Sequence, residues 1–219
     1  LNYHTMTETV IKTRITPKKL NDAVLSRERL LGLIKNNISK NIILIISPAG
    51  FGKTTLVLDF FNEFRKKYAW LYLAPDINSF RSFASYLVYS IKELNNEFGS
   101  KTLELLSSMI ESGILVNDEK NSINALIGTF SNEFVNTFTD DVYIVLDDLH
   151  NTANAEWLTH AFNCLIEDFP PNLHILITSR ALPEFNYPRL NAKRNLLKID
   201  ADELTFKIDE TEKLLKDIY

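Results

Sequence analysis

Five short apolar runs, each as long as a β-strand, are spread along the 219 residues of this chain. They cover residues 41–47, 69–74, 142–148, 173–179 and 195–200. Most are continuously apolar rather than alternating, which is typical of parallel strands that are covered on both faces. Segments with apolar residues at spacings of three or four lie between them, as in residues 54–68 and 79–98. Strands that alternate with helices in this way predict an α/β domain with a five-stranded parallel sheet.

Three further stretches complete the expected secondary structure. Residues 98–140 are too many for a single crossover helix, so we expect two helices there. Another helix should begin behind Asn154 as its N-cap and stop before Pro170 and Pro171. Residues 209–219 have the pattern of a helix start, and we expect the protein to continue beyond them.

The bulk composition is that of an ordinary globular domain. Hydrophobic residues make up 45% of the chain, charged residues 24%, and the net charge is −4, which argues against a protein that mainly coats nucleic acid. Cys164 is the only cysteine, so no intramolecular disulfide can form. No apolar run approaches the roughly 20 residues of a membrane span. We therefore expect a soluble, cytoplasmic protein without a membrane partner. The basic residues among positions 1–40 are either a solvated face or part of an anion-binding site.

The stretch "SPAGFGKTT" at residues 47–55 follows the first predicted strand and opens a predicted helix. Its glycines, Gly50 and Gly52, free the backbone to approach an anion. A phosphate-binding loop needs converging backbone N–H groups, a helix N-terminus and a lysine for the outer phosphates. Lys53 supplies the lysine, Thr54 supplies a hydroxyl for Mg²⁺, and Thr55 caps or packs. The nucleotide-binding candidates of this loop are Pro48, Ala49, Gly50, Phe51, Gly52, Lys53, Thr54 and Thr55.

Acidic residues end the third apolar run, "VYIVLDD". A phosphate loop that works with Mg²⁺ needs a carboxylate at the tip of a nearby strand. Asp147 is the candidate metal ligand, together with Thr54, and Asp148 is the candidate catalytic base for an attacking water. His150 is either a sensor of the γ-phosphate or an ordinary local hydrogen-bonding residue.

Two arginines follow the fourth run, "LHILITS". Because ligands of open parallel sheets lie beyond the carboxyl ends of the strands, Arg180 should point toward the same crevice as Lys53. An arginine there neutralises charge on the γ-phosphate, so Arg180 joins Lys53 and Asp148 as a catalytic candidate. Arg189 is a weaker candidate for nucleotide binding.

Several segments, in the same order, resemble the ATPase module of the MalT-like, large LuxR-type regulators, members of the STAND class of signal-transducing NTPases. "SPAGFGKTT" is similar to that family's "APAGYGKTT", and "VLDDLH" is similar to its "VLDDYH". "FPPNLHILITSR" and "PRLNAKRNLLKIDADELTF" resemble further family segments. The resemblance runs from about residue 10 to residue 215. It also explains Ser47, which stands where the general phosphate-loop pattern has glycine.

The resemblance implies a three-layer P-loop NTPase with strand order 5-1-4-3-2 and with ATP or ADP as its ligand. It implies that Arg27 lies near the nucleotide, although Ser26 replaces the glycine of the family's motif. It divides the chain into an N-terminal basic segment (1–35), a P-loop core (36–205) and the start of a helical region (206–219). It further implies a slow Mg²⁺-dependent ATPase whose nucleotide state controls self-association and transcription, with DNA bound only by domains absent from this chain.

Other functions remain open from the sequence. Kinases also use phosphate loops, but an arginine-rich lid does not follow the third strand. A DNA-handling motor is disfavoured by the acidic composition. The chain could also bind nucleotide without hydrolysing it, or belong to a STAND protein whose output is not transcription.

Overall fold

A single parallel sheet forms the centre of the protein, which we describe from a computed structural model covering residues 10–20, 24–152 and 155–218. Its strands are β1 (Ile42–Ile46), β2 (Tyr68–Tyr72), β3 (Val142–Asp147), β4 (Leu173–Ser179) and β5 (Leu196–Ile199). They lie in the order β2-β3-β4-β1-β5, and every neighbouring pair is parallel. The predicted fold class and strand order are therefore confirmed.

Helices cover both faces of this sheet. They are α1 (Glu28–Lys35), α2 (Lys53–Phe64), α3 (Phe80–Lys92), α4 (Ser100–Glu111), α5 (Ile114–Asn117), α6 (Glu119–Thr137), α7 (Glu156–Glu167), α8 (Tyr187–Ala192), α9 (Ala201–Leu204) and α10 (Ile208–Ile218). The N-cap of α7 is Ala155 rather than the predicted Asn154, which lies outside the described residues. Within the part of the chain that is described, no helix combines the length and the hydropathy needed to cross a membrane.

The sheet separates two apolar cores. Ile42 and Leu44 of β1 pack into the core under α3, α4, α6 and α7, whereas Ile43 and Ile45 pack into the core under α1 and α2. Successive strand residues point to opposite faces, so a strand covered on both sides must be apolar throughout. This requirement explains the continuous apolar runs that the sequence shows.

The helix boundaries differ from the predicted ones where the backbone turns left-handed. Helix α2 ends at Phe64 rather than near residue 68, because Arg65 has φ of 47°. The interval 98–140 holds the two predicted long helices, α4 and α6, and the one-turn α5 between them. Gly113, with φ of 72°, separates α4 from α5.

All five strands run in the same direction, so their carboxyl ends lie along one edge of the sheet. The loops after β1, β3 and β4 therefore begin next to one another. In open α/β sheets this edge is where ligands bind. The domain boundaries expected at residues 35/36 and 205/206 stay predictions.

Candidate functional site

The loop between β1 and α2 is shaped by its glycines. Gly50 has φ of 87° and Gly52 has φ of 75°, a left-handed conformation that favours glycine. Beyond their own chain neighbours, a Cβ built on either glycine would meet no described atom within 4 Å. Open space therefore lies beside the loop, where a phosphate could approach its backbone. Gly52 is also the N-cap of α2, so the N–H groups of the first helical turn face the same space.

Lys53, the first residue of α2, closes this loop on itself. Its ammonium Nζ donates hydrogen bonds to the carbonyl oxygens of Ser47 at 2.7 Å and Pro48 at 2.9 Å. The side chain is buried, and burial lowers the pKa of Lys53; the charge of Asp148 opposes this effect and that of Arg180 adds to it. The buried Lys53 ammonium is thus bonded to two neutral carbonyl oxygens of the loop. An anion can replace these oxygens as the partner of the ammonium.

Asp147, the last residue of β3, receives hydrogen bonds from two hydroxyls. Thr54 Oγ1 lies 2.8 Å and Thr178 Oγ1 lies 2.7 Å from the same carboxylate oxygen, Oδ1. Burial raises the pKa of Asp147, and the bonds from Thr178 and Thr54 partly oppose that rise. The two predicted metal ligands, Thr54 and Asp147, are therefore in direct contact.

Asp148 follows in a left-handed conformation, with φ of 60° and ψ of 44°. Its side chain is 26% exposed, and its Oδ1 lies 3.7 Å from His150 Nδ1. Burial lowers the pKa of His150, while the Asp148 carboxylate opposes this and the charges of Arg180 and Lys53 reinforce it. The structure thus brings Asp148 and His150 together beside Lys53.

The two arginine candidates lie in different surroundings. Arg180 is exposed just after β4, close enough for its charge to lower the pKa of both Lys53 and His150. Arg189, on α8, forms a 2.6 Å salt bridge with Glu167 at the end of α7. Among the described residues its guanidinium bonds only to Glu167 of α7, and its predicted part in nucleotide binding stays a prediction.

The loop of residues 47–52 between β1 and α2 is called the glycine loop below. A cleft of about 210 Å³ lies beside it. Its lining is mainly apolar and consists of Val24, Leu25, Arg27, Gly50, Phe51, Gly52, Thr55, Leu56, Asp59, Phe206 and Leu214. Arg27 lies in its wall, and its guanidinium stacks 4.4 Å from the centre of the Phe206 ring; that it lies near the nucleotide stays a prediction. A mostly apolar slot next to a phosphate loop suits the flat ring of a nucleobase.

Several residues of the site were not expected from the sequence. Thr178 stands within "LITSR", two residues before Arg180, and its position near a strand end was the only available signal. Glu210 forms a salt bridge with Arg27 at 3.2 Å, 183 residues away in the sequence. Asp59 accepts a 2.9 Å hydrogen bond from the Ser26 hydroxyl at the edge of the cleft.

The residues present fit a nucleotide with Mg²⁺. Thr54 and Asp147 offer hydroxyl and carboxylate oxygens, the hard donors that Mg²⁺ prefers. Gly50, Gly52 and Lys53 offer N–H groups and an ammonium that suit phosphate oxygens.

The family model described as nephrocystin 3, N-terminal, matches residues 21–180. The chain belongs to this family. The matched span runs from before α1 to Arg180 and includes the glycine loop, Asp147 and Asp148. Because this family is a STAND-type NTPase region, the match confirms the NTPase class suggested by the sequence.

Proteins with similar sequences indicate the same ATPase module. The chain is 28% identical over 204 residues to the HTH-type transcriptional regulator MalT of Vibrio parahaemolyticus, covering 92% of this chain and 21% of that protein. It is also 28% identical over 202 residues to MalT of Yersinia pestis, covering 91% of this chain and 21% of the relative. The resemblance to the MalT-like ATPase module is thus confirmed, and the chain spans about a fifth of the length of these relatives.

A solved structure gives the same fold. A Walker-type ATPase of Pyrococcus abyssi superposes with a TM-score of 0.51 at 14% identity, covering 92% of this chain and 59% of the other. At this level of identity the likeness concerns the fold alone.

Proposed function

We propose that this chain is the nucleotide-binding switch module of a signal-transducing ATPase, which binds ATP or ADP with Mg²⁺ and hydrolyses ATP slowly. The observation that carries the proposal is the meeting of three elements at the carboxyl edge of the sheet. The glycine loop, Lys53 and the Thr54–Asp147 pair lie together there, although Thr54 and Asp147 are 93 residues apart. Membership of a STAND-type NTPase family supports it.

Each residue has a role that its position supports. The N–H groups of the loop and the Lys53 ammonium would bind the phosphates, and the cleft that contains Arg27 would take the base. Thr54 and Asp147 would hold Mg²⁺, which when bound neutralises charge on the outer phosphates. Asp148 would accept the proton of an attacking water, and Arg180, whose charge acts on Lys53, would neutralise the γ-phosphate.

The proposed switch concerns the full-length protein. The curated relatives are named as transcriptional regulators, and we infer that nucleotide state in the full-length protein controls self-association and transcription. DNA would then be bound by other domains. Light scattering of the full-length protein with ADP and with ATP-γ-S tests this part: a larger mass with ATP-γ-S is expected, and equal masses in both would contradict it.

The nucleotide site is tested by replacing its lysine. K53A should reduce the affinity for ADP and ATP-γ-S at least 100-fold in isothermal titration, because it removes a cation held next to the loop. K101A is the matched control, since Lys101 is also in the first turn of a helix but is exposed. An affinity that is unchanged in K53A would overturn the assignment.

Hydrolysis is tested by incubating the protein with Mg-ATP alone. We expect phosphate release without an added acceptor, at a rate below about 0.01 s⁻¹, as in NTPases that await an arginine from another domain or subunit. No phosphate release, with the phosphoryl group appearing instead on an added metabolite, would indicate a phosphotransferase. Rapid turnover by the monomer would contradict the switch.

A further inference from the structure

The buried hydroxyl of Thr178 joins the two adjacent aspartates of the site. Thr178 is the penultimate residue of β4 and is fully buried. Its Oγ1 lies 2.7 Å from Asp147 Oδ1 and 2.9 Å from the backbone nitrogen of Asp148. One side chain therefore holds both the carboxylate of the first aspartate and the main chain of the second.

The directions of these hydrogen bonds follow from their chemistry. The Asp148 N–H can only donate, so the Thr178 oxygen accepts it and its single hydrogen goes to the Asp147 carboxylate. Thr54 also donates to the same Asp147 oxygen. Two hydroxyls from different elements, α2 and β4, thus fix one carboxylate oxygen.

The two hydroxyls differ in what else they must do. Thr54 is the proposed Mg²⁺ ligand, and a metal ligand must turn an oxygen lone pair to the ion. Its bond to Asp147 is therefore open to change when metal binds. Thr178 has no such second task, and it lies in the interior of the sheet, level with Ile45 of the neighbouring β1. The Thr178 bond therefore holds Asp147 from the rigid strand β4, also when the Thr54 bond changes.

The backbone bond has a second effect. Asp148 adopts a left-handed conformation, with φ of 60°, which residues other than glycine adopt infrequently. The Thr178 oxygen accepts the N–H of this residue and so helps to hold the turn. This backbone turn places the Asp148 carboxylate 3.7 Å from His150 and beside Lys53.

We propose that Thr178 is a positioning residue of the nucleotide site, whose hydroxyl holds Asp147 ready for Mg²⁺ and holds the turn that presents Asp148. This inference rests on the proposed function. Nucleotide binding then has two parts, of which only one depends on Thr178. The glycine loop and Lys53 bind phosphate without Thr178, whereas the gain in affinity that Mg²⁺ brings depends on it.

The test compares ADP and ATP-γ-S binding with Mg²⁺ and with EDTA by isothermal titration. T178V keeps the volume of the side chain and removes the hydroxyl, and T178S keeps the hydroxyl. In T178V the Mg²⁺-dependent gain in affinity should fall about tenfold, or about 1.4 kcal/mol, while the affinity in EDTA stays within about twofold. T178S should retain the gain of the unmodified protein.

A matched control separates this role from a general loss of stability. Thr102 is also buried, and its hydroxyl donates a 2.6 Å hydrogen bond to the Glu133 carboxylate between α4 and α6. T102V should lose stability as T178V does, without any change in the Mg²⁺-dependent gain. Should T178V fail to fold, T178C takes its place, because a thiol is a weak hydrogen-bonding group and should lose part of the gain.

The outcomes distinguish this inference from the proposed function. If the unmodified protein binds nucleotide and T178V or T178C keeps its full Mg²⁺-dependent gain, Thr178 has no positioning role and the proposed function stands. If the unmodified protein binds no nucleotide with or without Mg²⁺, both are overturned.

Discussion

The Thr54 hydroxyl donates a 2.8 Å hydrogen bond to Asp147 Oδ1, which joins the start of α2 to the end of β3. The acceptor is a buried carboxylate, and burial raises the pKa of Asp147 despite the two hydroxyls that it binds. The ionised form is therefore less favourable in the folded protein than in the unfolded chain. A group that destabilises its own fold in this way is typical of a functional site.

The first prediction concerns D147N. Above the raised folded pKa, ionised Asp147 costs stability, and this cost disappears as the pH falls below the ordinary value of 3.8. D147N should therefore unfold at a higher temperature than the unmodified protein at pH 7, by about 2–4 °C per kcal/mol gained. It should also lose the Mg²⁺-dependent part of nucleotide binding. Thermal unfolding and titration calorimetry measure the two effects.

The control for D147N is D140N, because Asp140 is exposed in the loop before β3. It should change neither the unfolding temperature nor nucleotide binding. The stability difference between D147N and the unmodified protein should shrink as the pH is lowered from 7 toward 4. A D147N protein that is less stable at pH 7 would contradict the role of burial.

The second prediction separates binding from turnover at Asp148. Asparagine tolerates the left-handed conformation that Asp148 adopts, so D148N should keep the backbone turn. ADP affinity should stay within about threefold, whereas phosphate release should fall at least 100-fold, because the general base is lost. D168N, at the end of α7, provides an exposed control. Turnover that persists in D148N would show that another group accepts the proton.

Much of the fold could be predicted because its signals are local. A strand covered on both faces must be apolar throughout, and the glycine loop must combine left-handed residues with a helix start. Lys53 and Asp147 could be placed together because parallel strands end at one edge of the sheet. These inferences need only the order of elements along the chain.

The missed features depend on tertiary docking, which leaves no local signal. The bond from Thr178 to Asp147 requires the register between β3 and β4, in which Leu146 is level with Ile177. The salt bridge from Arg27 to Glu210 requires that α10 return to the start of α1. A sequence pattern shows that such residues are charged or polar but not which partner they meet.

The third prediction concerns the pair of arginines that hold α10. Glu210 accepts hydrogen bonds from Arg27 at 3.2 Å and Arg29 at 3.4 Å. Burial alone would raise the pKa of Glu210, but the N–H of Lys207 and the two guanidinium groups lower it below its ordinary value. The ionised carboxylate therefore stabilises the fold above about pH 4.5, and this contribution is lost as the pH falls through the lowered value.

E210Q should accordingly unfold with a free energy about 1–3 kcal/mol smaller at pH 7, because Arg27 and Arg29 lose a charged partner. The difference should vanish in acid, below the lowered pKa of Glu210. E212Q is the matched control, since Glu212 is on the same helix and is exposed. Urea unfolding at several pH values measures the effect. A difference that grows toward acid would contradict the assigned sign.

The fourth prediction uses two glycines with nearly equal backbone strain. Gly52 has φ of 75° and Gly113 has φ of 72°, so alanine at either position costs about 1–2 kcal/mol. Neither substitution causes a severe clash: the nearest atom to a Cβ on Gly113 is Asn117 Nδ2 at 3.7 Å, and none of the described atoms beyond the neighbouring residues lies within 4 Å of one on Gly52. Both variants should therefore lose similar stability in thermal unfolding.

Of the two variants, only G52A should lose affinity for nucleotide. Its methyl group would stand in the open space beside the loop that phosphate must enter, whereas Gly113 lies between α4 and α5. We expect at least a tenfold weaker affinity for ADP in G52A and an unchanged affinity in G113A. An equal loss in both would mean that general destabilisation weakens binding. An unchanged affinity in both would mean that phosphate does not approach the backbone at Gly52.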